Sequence, residues 1–263
     1  MRMMIELIVP LFQRMFNLEK LDLDLAVRCK NEFILGKNLR TNIINTMLSL
    51  NQFTFHIHST VFLTNPVNLM SNEDLQQTFL DFPQREIISY VDYFPEIKEG
   101  QCHIYSYPYQ WNEYHKITNS FPGGISKYVR KLSLYDEKPF EHEFFIQISN
   151  SFPLMTKLTI NNQKAQTKKL CEYLSIVKYI YLTELYLTDA HDDYIGEFII
   201  DTKTDLPNHL RLIVEYGGMK RVTERFTNIR MRNNCKKLHS IGLMGTYRIP
   251  KYVKEYFSHT EIF

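Results

Sequence analysis

Hydrophobic residues recur along most of the chain in one spaced phrase. A large apolar residue is followed by two free positions, an apolar residue, two more free positions, an apolar residue, one free position and a last apolar residue. The phrase is clearest at Phe152, Met155, Leu158 and Ile160. It returns, wholly or in most positions, at Met15, Leu18, Leu21 and Leu23; at Met47, Leu50, Phe53 and Phe55; at Val129, Leu132 and Leu134; at Tyr179, Leu182, Leu185 and Leu187; at Leu206, Leu212 and Val214; and at Cys235, Leu238, Ile241 and Leu243. The pivotal residues Leu132, Leu158, Leu185, Leu212 and Ile241 are 26, 27, 27 and 29 residues apart. A fixed period of that size marks a stacked repeat protein.

The apolar pairs sit in strictly alternating segments, which predicts strands with one buried and one wet face. Strands are expected at 20–25, 52–57, 131–135, 157–161, 184–188, 210–216 and 239–243. Helical spacing lies between them: Leu11, Phe12 and Met15 after Pro10; Ile43, Ile44, Met47 and Leu48; Phe144, Phe145 and Ile148; Leu170, Leu174 and Val177; Ile195, Phe198 and Ile199; Val222, Phe226 and Ile229; and Val253 and Phe257 after Pro250. Residues 60–125 interrupt the series. There Ser71–Asp74 has the form of a helix cap, and 87–93 with 101–107 reads as an antiparallel hairpin. Trp111, Tyr114 and Ile117 suggest a further helix, ended near Pro122-Gly-Gly124.

Alternating strands and helices at short spacing imply a mostly parallel sheet. In a doubly wound sheet both faces are covered and strands read as unbroken apolar runs. Leu21-Asp-Leu-Asp-Leu25, Leu132-Ser-Leu134 and Leu158-Thr-Ile160 do not. A closed eight-stranded barrel would carry bulky aliphatics inside, whereas Asp22, Thr54, Ser133 and Thr159 would stand there. The expected fold is therefore α/β: one domain over residues 1–263, a right-handed solenoid with the sheet on its concave face and helices on its convex face. The stretch 60–125 forms an irregular, hairpin-containing elaboration.

The phrase resembles the leucine-rich repeat, L-x-x-L-x-L, in its long, helix-containing class. Cys235-Lys-Lys-Leu-His-Ser-Ile-Gly-Leu243 is similar to the cysteine-containing repeats of F-box substrate receptors, and Tyr181–Ile199 to the same unit. The resemblance covers roughly 12–57 and 126–245. It implies a substrate-binding role in a ubiquitin ligase receptor, with a ligase adaptor as partner only if an F-box lies upstream. The abrupt entry into a repeat suggests such an upstream segment. The asparagine or cysteine of the family's loop ladder is replaced by Ala26, Gln163 and Ala190, so the loops must be held another way.

Composition alters this picture little. With 31 Lys and Arg against 29 Asp and Glu, the net charge is +2, and nothing global points to nucleic acid or an anionic membrane. The 44% hydrophobic and 14% aromatic content supplies a continuous core. Cys29, Cys102, Cys171 and Cys235 are 73, 69 and 64 residues apart, which is neither metal-ligand nor disulfide-framework spacing. A reducing, cytoplasmic setting is expected. The apolar start, Met1–Pro10, carries Glu6 and is too short to span a bilayer.

No catalytic constellation stands out, and no cofactor or metal site is expected. His56 and His58 share a strand face without a third ligand nearby in sequence. Asp192-Asp193 and Glu141-His-Glu143 stand where helices begin and suit the helix dipole. Pro122-Gly-Gly124 lacks the lysine of a phosphate loop, and Cys235 occupies a core position of its repeat. Two binding readings follow. In the first, the wet strand positions bind a protein partner through Tyr135, Lys157, Thr159, Asn161, Tyr186, Thr188, Arg211, Ile213 and Glu215, a mixture of aromatic, aliphatic and Arg anchors. In the second, residues 219–237 form a basic helix whose Arg221, Arg225 and Arg232 share a stripe for nucleic acid. The second is disfavoured, because exposed aromatics are not interleaved with the charges.

Overall fold

A computed structural model describes residues 10–12, 14–15, 17–64, 69–80, 82, 86–168, 175–228, 231–246 and 248–263. The start through Val9, Cys171, the helical positions Leu170 and Leu174, and Ile229 lie outside the described residues. The chain is α/β. Stretches expected to belong to one array fall in two compact units, Met1–Tyr109 with Ser120–Pro122, and Gln110–Asn119 with Gly123–Phe263. No helix among the described residues is long and apolar enough to cross a membrane.

In the first unit, β1 (Lys20–Cys29) and β2 (Gln52–Phe62) pair in parallel from Lys20 opposite Gln52 to Cys29 opposite Val61. β3 (Ile87–Phe94) and β4 (Glu99–Ser106) form the expected antiparallel hairpin, and β4 also lies antiparallel to β2. The sheet order is β1-β2-β4-β3. The helices α1 (Gly36–Leu39), a π-helical turn at Arg40–Ile44 and α2 (Asn72–Gln77) connect the strands. Ser71 caps α2 as its sequence implies, its Oγ accepting the Asp74 N–H at 3.1 Å. Phe53, Phe55 and Ile57 bury one sheet face with Ile43, Met47, Leu75, Phe79 and Phe82. Leu48, expected beside Met47, is instead 90% exposed.

The second unit holds an open seven-stranded sheet in the order β13-β12-β11-β9-β7-β6-β5. Its strands are β5 (Glu113–Ile117), β6 (Lys131–Tyr135), β7 (Lys157–Asn162), β9 (Glu184–Ala190), β11 (Leu210–Glu215), β12 (Leu238–Met244) and β13 (Glu261–Ile262). Every pairing is parallel, and no barrel closes. One residue of each phrase aligns with the next: Leu132, Leu158, Leu185, Leu212 and Ile241 form one buried row, and Leu134 with Ile160 and Val214 with Leu243 extend a second. Burial of each such side chain contributes about 1.5–3 kcal/mol. The helices α3 (His142–Ser151), α4 (Asp192–Ile199), α5 (Tyr216–Val222), α6 (Arg232–Cys235) and α7 (Lys251–Tyr256) follow the strands. Phe145 of α3 packs edge-on to Phe198 of α4, with ring centroids 5.5 Å apart. Gly218 lets α5 approach α4 closely, since a Cβ there would stand 2.7 Å from the Ile195 side chain.

Three expected helices resolve differently. Trp111, Tyr114 and Ile117 suggested a helix because Tyr114 and Ile117 are three apart. They belong around β5, where Tyr114 opposes Leu132 and Ile117 opposes Leu134 across a register shift. Lys116 takes φ 55° there, and the bulge turns both apolar residues inward, so a strand imitates helical spacing. Val177 lies in a two-residue strand, β8 (Val177–Lys178), paired with β10 (Thr204–Asp205). The 219–237 segment is not one helix. After Val222 the backbone turns left-handed at Glu224, Arg225 and Phe226, with φ of 52°, 61° and 64°, and α6 starts afresh.

Side-chain hydrogen bonds hold the loops that follow three of the strands. Asp136 accepts the Asn119 N–H at 2.8 Å and the Lys138 N–H at 2.9 Å. Asn162 donates to the Lys138 carbonyl at 2.7 Å and accepts the Lys164 N–H at 2.8 Å. These residues stand two, not three, positions after Ile117, Leu134 and Ile160, and tie successive loops together.

Candidate functional site

The positions left on the polar face of the seven-stranded sheet form straight rows. The pairing places Glu113, Lys131, Lys157, Glu184, Arg211, Ser240 and Glu261 side by side, neighbours being about 4.8 Å apart across a sheet. Three cations and three carboxylates make this row neutral. The Lys131 ammonium donates to Glu113 at 2.6 Å, and this hydrogen bond holds the Glu113 carboxyl below its ordinary range. Lys157 lies 3.6 Å from Glu184 and 4.2 Å above the Tyr186 ring, while the Tyr186 hydroxyl donates to Glu184 at 3.0 Å.

The second row runs Ser133, Thr159, Tyr186, Ile213 and Gly242. It starts polar and ends apolar. Phe263, just past β13, lies across its last two members. A Cβ on Gly242 would stand 3.0 Å from both the Phe263 ring and Ile213, so a larger residue there would make one of them shift. The Arg211 guanidinium stacks on the same ring at 4.6 Å. In a third row Tyr135 opposes Asn161, and Glu215 opposes Met244. Thr188 departs from expectation here: a register shift in β9 puts Asp189, not Thr188, opposite Asn161.

The sheet thus assembles Tyr135, Lys157, Thr159, Asn161, Tyr186, Arg211, Ile213 and Glu215 as the sequence pattern implied, with Thr188 out of register. Three members were missed, Glu113, Glu261 and Phe263. Glu113 precedes Tyr114 as Lys131 precedes Leu132, a cue masked by the bulge. The alternation of Glu261, Ile262 and Phe263 carries the other two.

The first unit's polar strand positions behave differently. Thr54 and His56, expected to be wet, are buried, as are His58, Gln101 and His103. His103 pairs across the sheet with His58, their rings stacked at 4.3 Å and 8°, and Tyr90 stacks on His103 at 4.9 Å. The third histidine that sequence spacing did not supply is present, but parallel stacked rings do not converge on a point. Among the described residues no group of three or more His, Cys, Asp or Glu side chains could hold a metal ion.

The basic stripe does not assemble. Arg221 forms a two-point ion pair with Asp192, at 2.5 and 2.8 Å; Arg225 lies on the left-handed turn; and Arg232 lies on α6, 5.2 Å over the Tyr256 ring. Other candidate chemistry is held in structural bonds. His142 and Glu197 meet at 2.5 Å in the interior, and the other His142 ring nitrogen lies 2.9 Å from the Ser175 carbonyl, so neither nitrogen is free to act as a base. Lys203 reaches the same carboxylate at 3.2 Å. Burial pushes the Cys102 and Cys235 thiols up to about 12, far from a reactive thiolate.

Comparison with protein-family models, with curated proteins and with solved structures gives no match to any of them.

Proposed function

We propose that this chain is a non-enzymatic recognition scaffold, a leucine-rich-repeat-like solenoid that takes a protein partner on the polar face of its seven-stranded sheet. The observation that carries the reading is the neutral row from Glu113 to Glu261, set beside a second row that changes from Ser133 and Thr159 to Tyr186 and Ile213. A self-neutralised row lacks the excess positive charge that a polyanion needs. Mixed aromatic, aliphatic and charged groups on a rigid sheet are what a protein interface uses. The proposed class is the substrate-binding part of an F-box-like ubiquitin ligase receptor in the cytoplasm. Engagement of a ligase adaptor would require an F-box upstream.

The test is affinity capture with wild type, with Tyr186→Ala plus Arg211→Ala, and with Arg225→Ala as a control away from the sheet. Partners held by the sheet face are lost from the double variant, weakened roughly tenfold or more, and retained by the control. Identical partner sets in all three would reject the sheet face. Recovery of RNA through Arg225 would favour the nucleic-acid alternative.

A further inference from the structure

One cavity of about 240 Å³ in the second unit, bounded by α6 and the segment after α7, is lined by Arg232, Lys236, Ser258, His259 and Thr260 over a floor of Cys235 and Tyr256. It belongs to none of the rows on the sheet, and its cations differ from Arg221 and Lys237 of the basic segment. Arg221 is neutralised by Asp192 and Lys237 by Asp205. No carboxylate among the described residues pairs with Arg232 or Lys236. The one acid on the rim, Glu255, faces Lys251 at 3.6 Å.

The lining is also oriented. The Lys236 N–H bonds the Arg232 carbonyl at 2.9 Å, one helical turn that sets both side chains on one side. Tyr256, anchored by its hydroxyl to the Asn228 carbonyl at 3.0 Å, carries the Arg232 guanidinium on its ring at 5.2 Å. A guanidinium held by its face keeps its N–H edge for a planar or tetrahedral anion. The floor adds no opposing charge, since burial keeps the Cys235 thiol protonated, pushed up to about 12.

We propose that this cavity binds a phosphate monoester dianion, with Arg232 and Lys236 supplying charge and His259 and Ser258 completing the donor set. A nucleic-acid backbone would need a continuing track of unpaired cations. Arg221 and Lys237, the neighbours that could extend it, are already in ion pairs. This inference does not rest on the reading of the sheet face.

Calorimetric titration of the full chain with a phosphoserine peptide, its unphosphorylated form, inorganic phosphate and a short single-stranded RNA tests it. The phosphopeptide should bind saturably and its unphosphorylated form should not. Inorganic phosphate should compete at higher concentration. Lys236→Gln and His259→Gln, both at exposed positions, should each weaken the phosphopeptide roughly tenfold, about 1.4 kcal/mol. Arg232→Gln should abolish binding. Affinity unchanged in Lys236→Gln and His259→Gln would overturn the proposal, as would tighter binding of RNA than of phosphopeptide. Saturable binding of inorganic phosphate with no binding of the phosphopeptide would overturn the monoester.

Discussion

The two sheets are built from similar alternating strands, yet their inner strands β2 and β4 on one side and β6, β7 and β9 on the other treat polar positions in opposite ways. In the first unit His58, Gln101 and His103 are buried on the sheet, with Tyr109 and Phe121 lying against the histidine and tyrosine rings. In the second, Lys131, Lys157, Thr159 and Glu184 stay open to solvent. The difference follows from partners. Around His103 the polar atoms belong to flat rings, which stack and can be buried together. Lysine and glutamate carry full charges that are costly to bury, so they remain as surface pairs. The second unit hides its ionic groups elsewhere, among the helices, as the network of His142, Glu197 and Lys203.

The largest effect should come from that helical network. Glu197 is 0% exposed, and Glu197→Ala leaves His142 and Lys203 without their shared carboxylate. Removing one member of a buried ionic group costs about 3–5 kcal/mol, readable as a lower urea midpoint. Glu197→Gln, which keeps hydrogen-bonding atoms, should lose less. Equal loss in both would mean that shape and not charge holds the site.

His103→Ala and Thr159→Ala put the comparison of sheet faces to direct measurement. His103 is 0% exposed and hydrogen-bonds Gln101 at 2.9 Å, so truncation should cost about 2–4 kcal/mol. Thr159, half-buried on the open face, should stay within about 0.5 kcal/mol of wild type. Similar losses in both would erase the distinction between the faces.

Phe263→Ala addresses the place where the open face is itself covered. The ring remains 53% exposed, and its contact with Arg211 is a surface cation–π pair, so the expected loss is about 0.5–1 kcal/mol. Arg211 and Ile213 then become more accessible, and capture by the sheet face should strengthen. A loss above about 2 kcal/mol would instead place Phe263 with the buried core.

How much of this was legible in the sequence depended on which period each stretch kept. Where period two was unbroken, as at Leu132–Leu134 and Leu158–Ile160, strand, face and neighbour could all be read from the residues. Where a bulge intervened, the period became three: Tyr114 and Ile117 read as helical, and Glu113 was lost from its row. The basic segment failed for a different reason. Val222, Phe226 and Ile229 keep helical spacing, but the left-handed φ of Glu224, Arg225 and Phe226 arises from tertiary packing that periodicity cannot register. The cover over His56 comes from residues more than forty positions away, such as Tyr105 and Tyr109. A local pattern carries no signal of them.

The smallest effect concerns the carboxylates at the start of α3, where the second unit meets solvent. Partial burial of Glu141 opposes its ionisation, but hydrogen bonds from Thr167 and Lys168 outweigh it. Its carboxyl accepts the Thr167 hydroxyl at 2.6 Å, the Thr167 N–H at 2.9 Å and the Lys168 N–H at 3.2 Å. The carboxyl is therefore held below its ordinary value of 4.5. A carboxyl depressed on folding stabilises the folded state fully above its unfolded pKa, and that contribution is lost as pH falls through the lower folded value. Solvent screening discounts it to about a few tenths of a kcal/mol. Glu141→Gln should thus trail wild type slightly in stability at neutral pH, and the gap should close below pH 4.5. Thermal unfolding of the two proteins across that range reads the difference. A gap that widened in acid would mean that the Thr167 and Lys168 donors favour the neutral side chain, and that this end of α3 is held by packing alone.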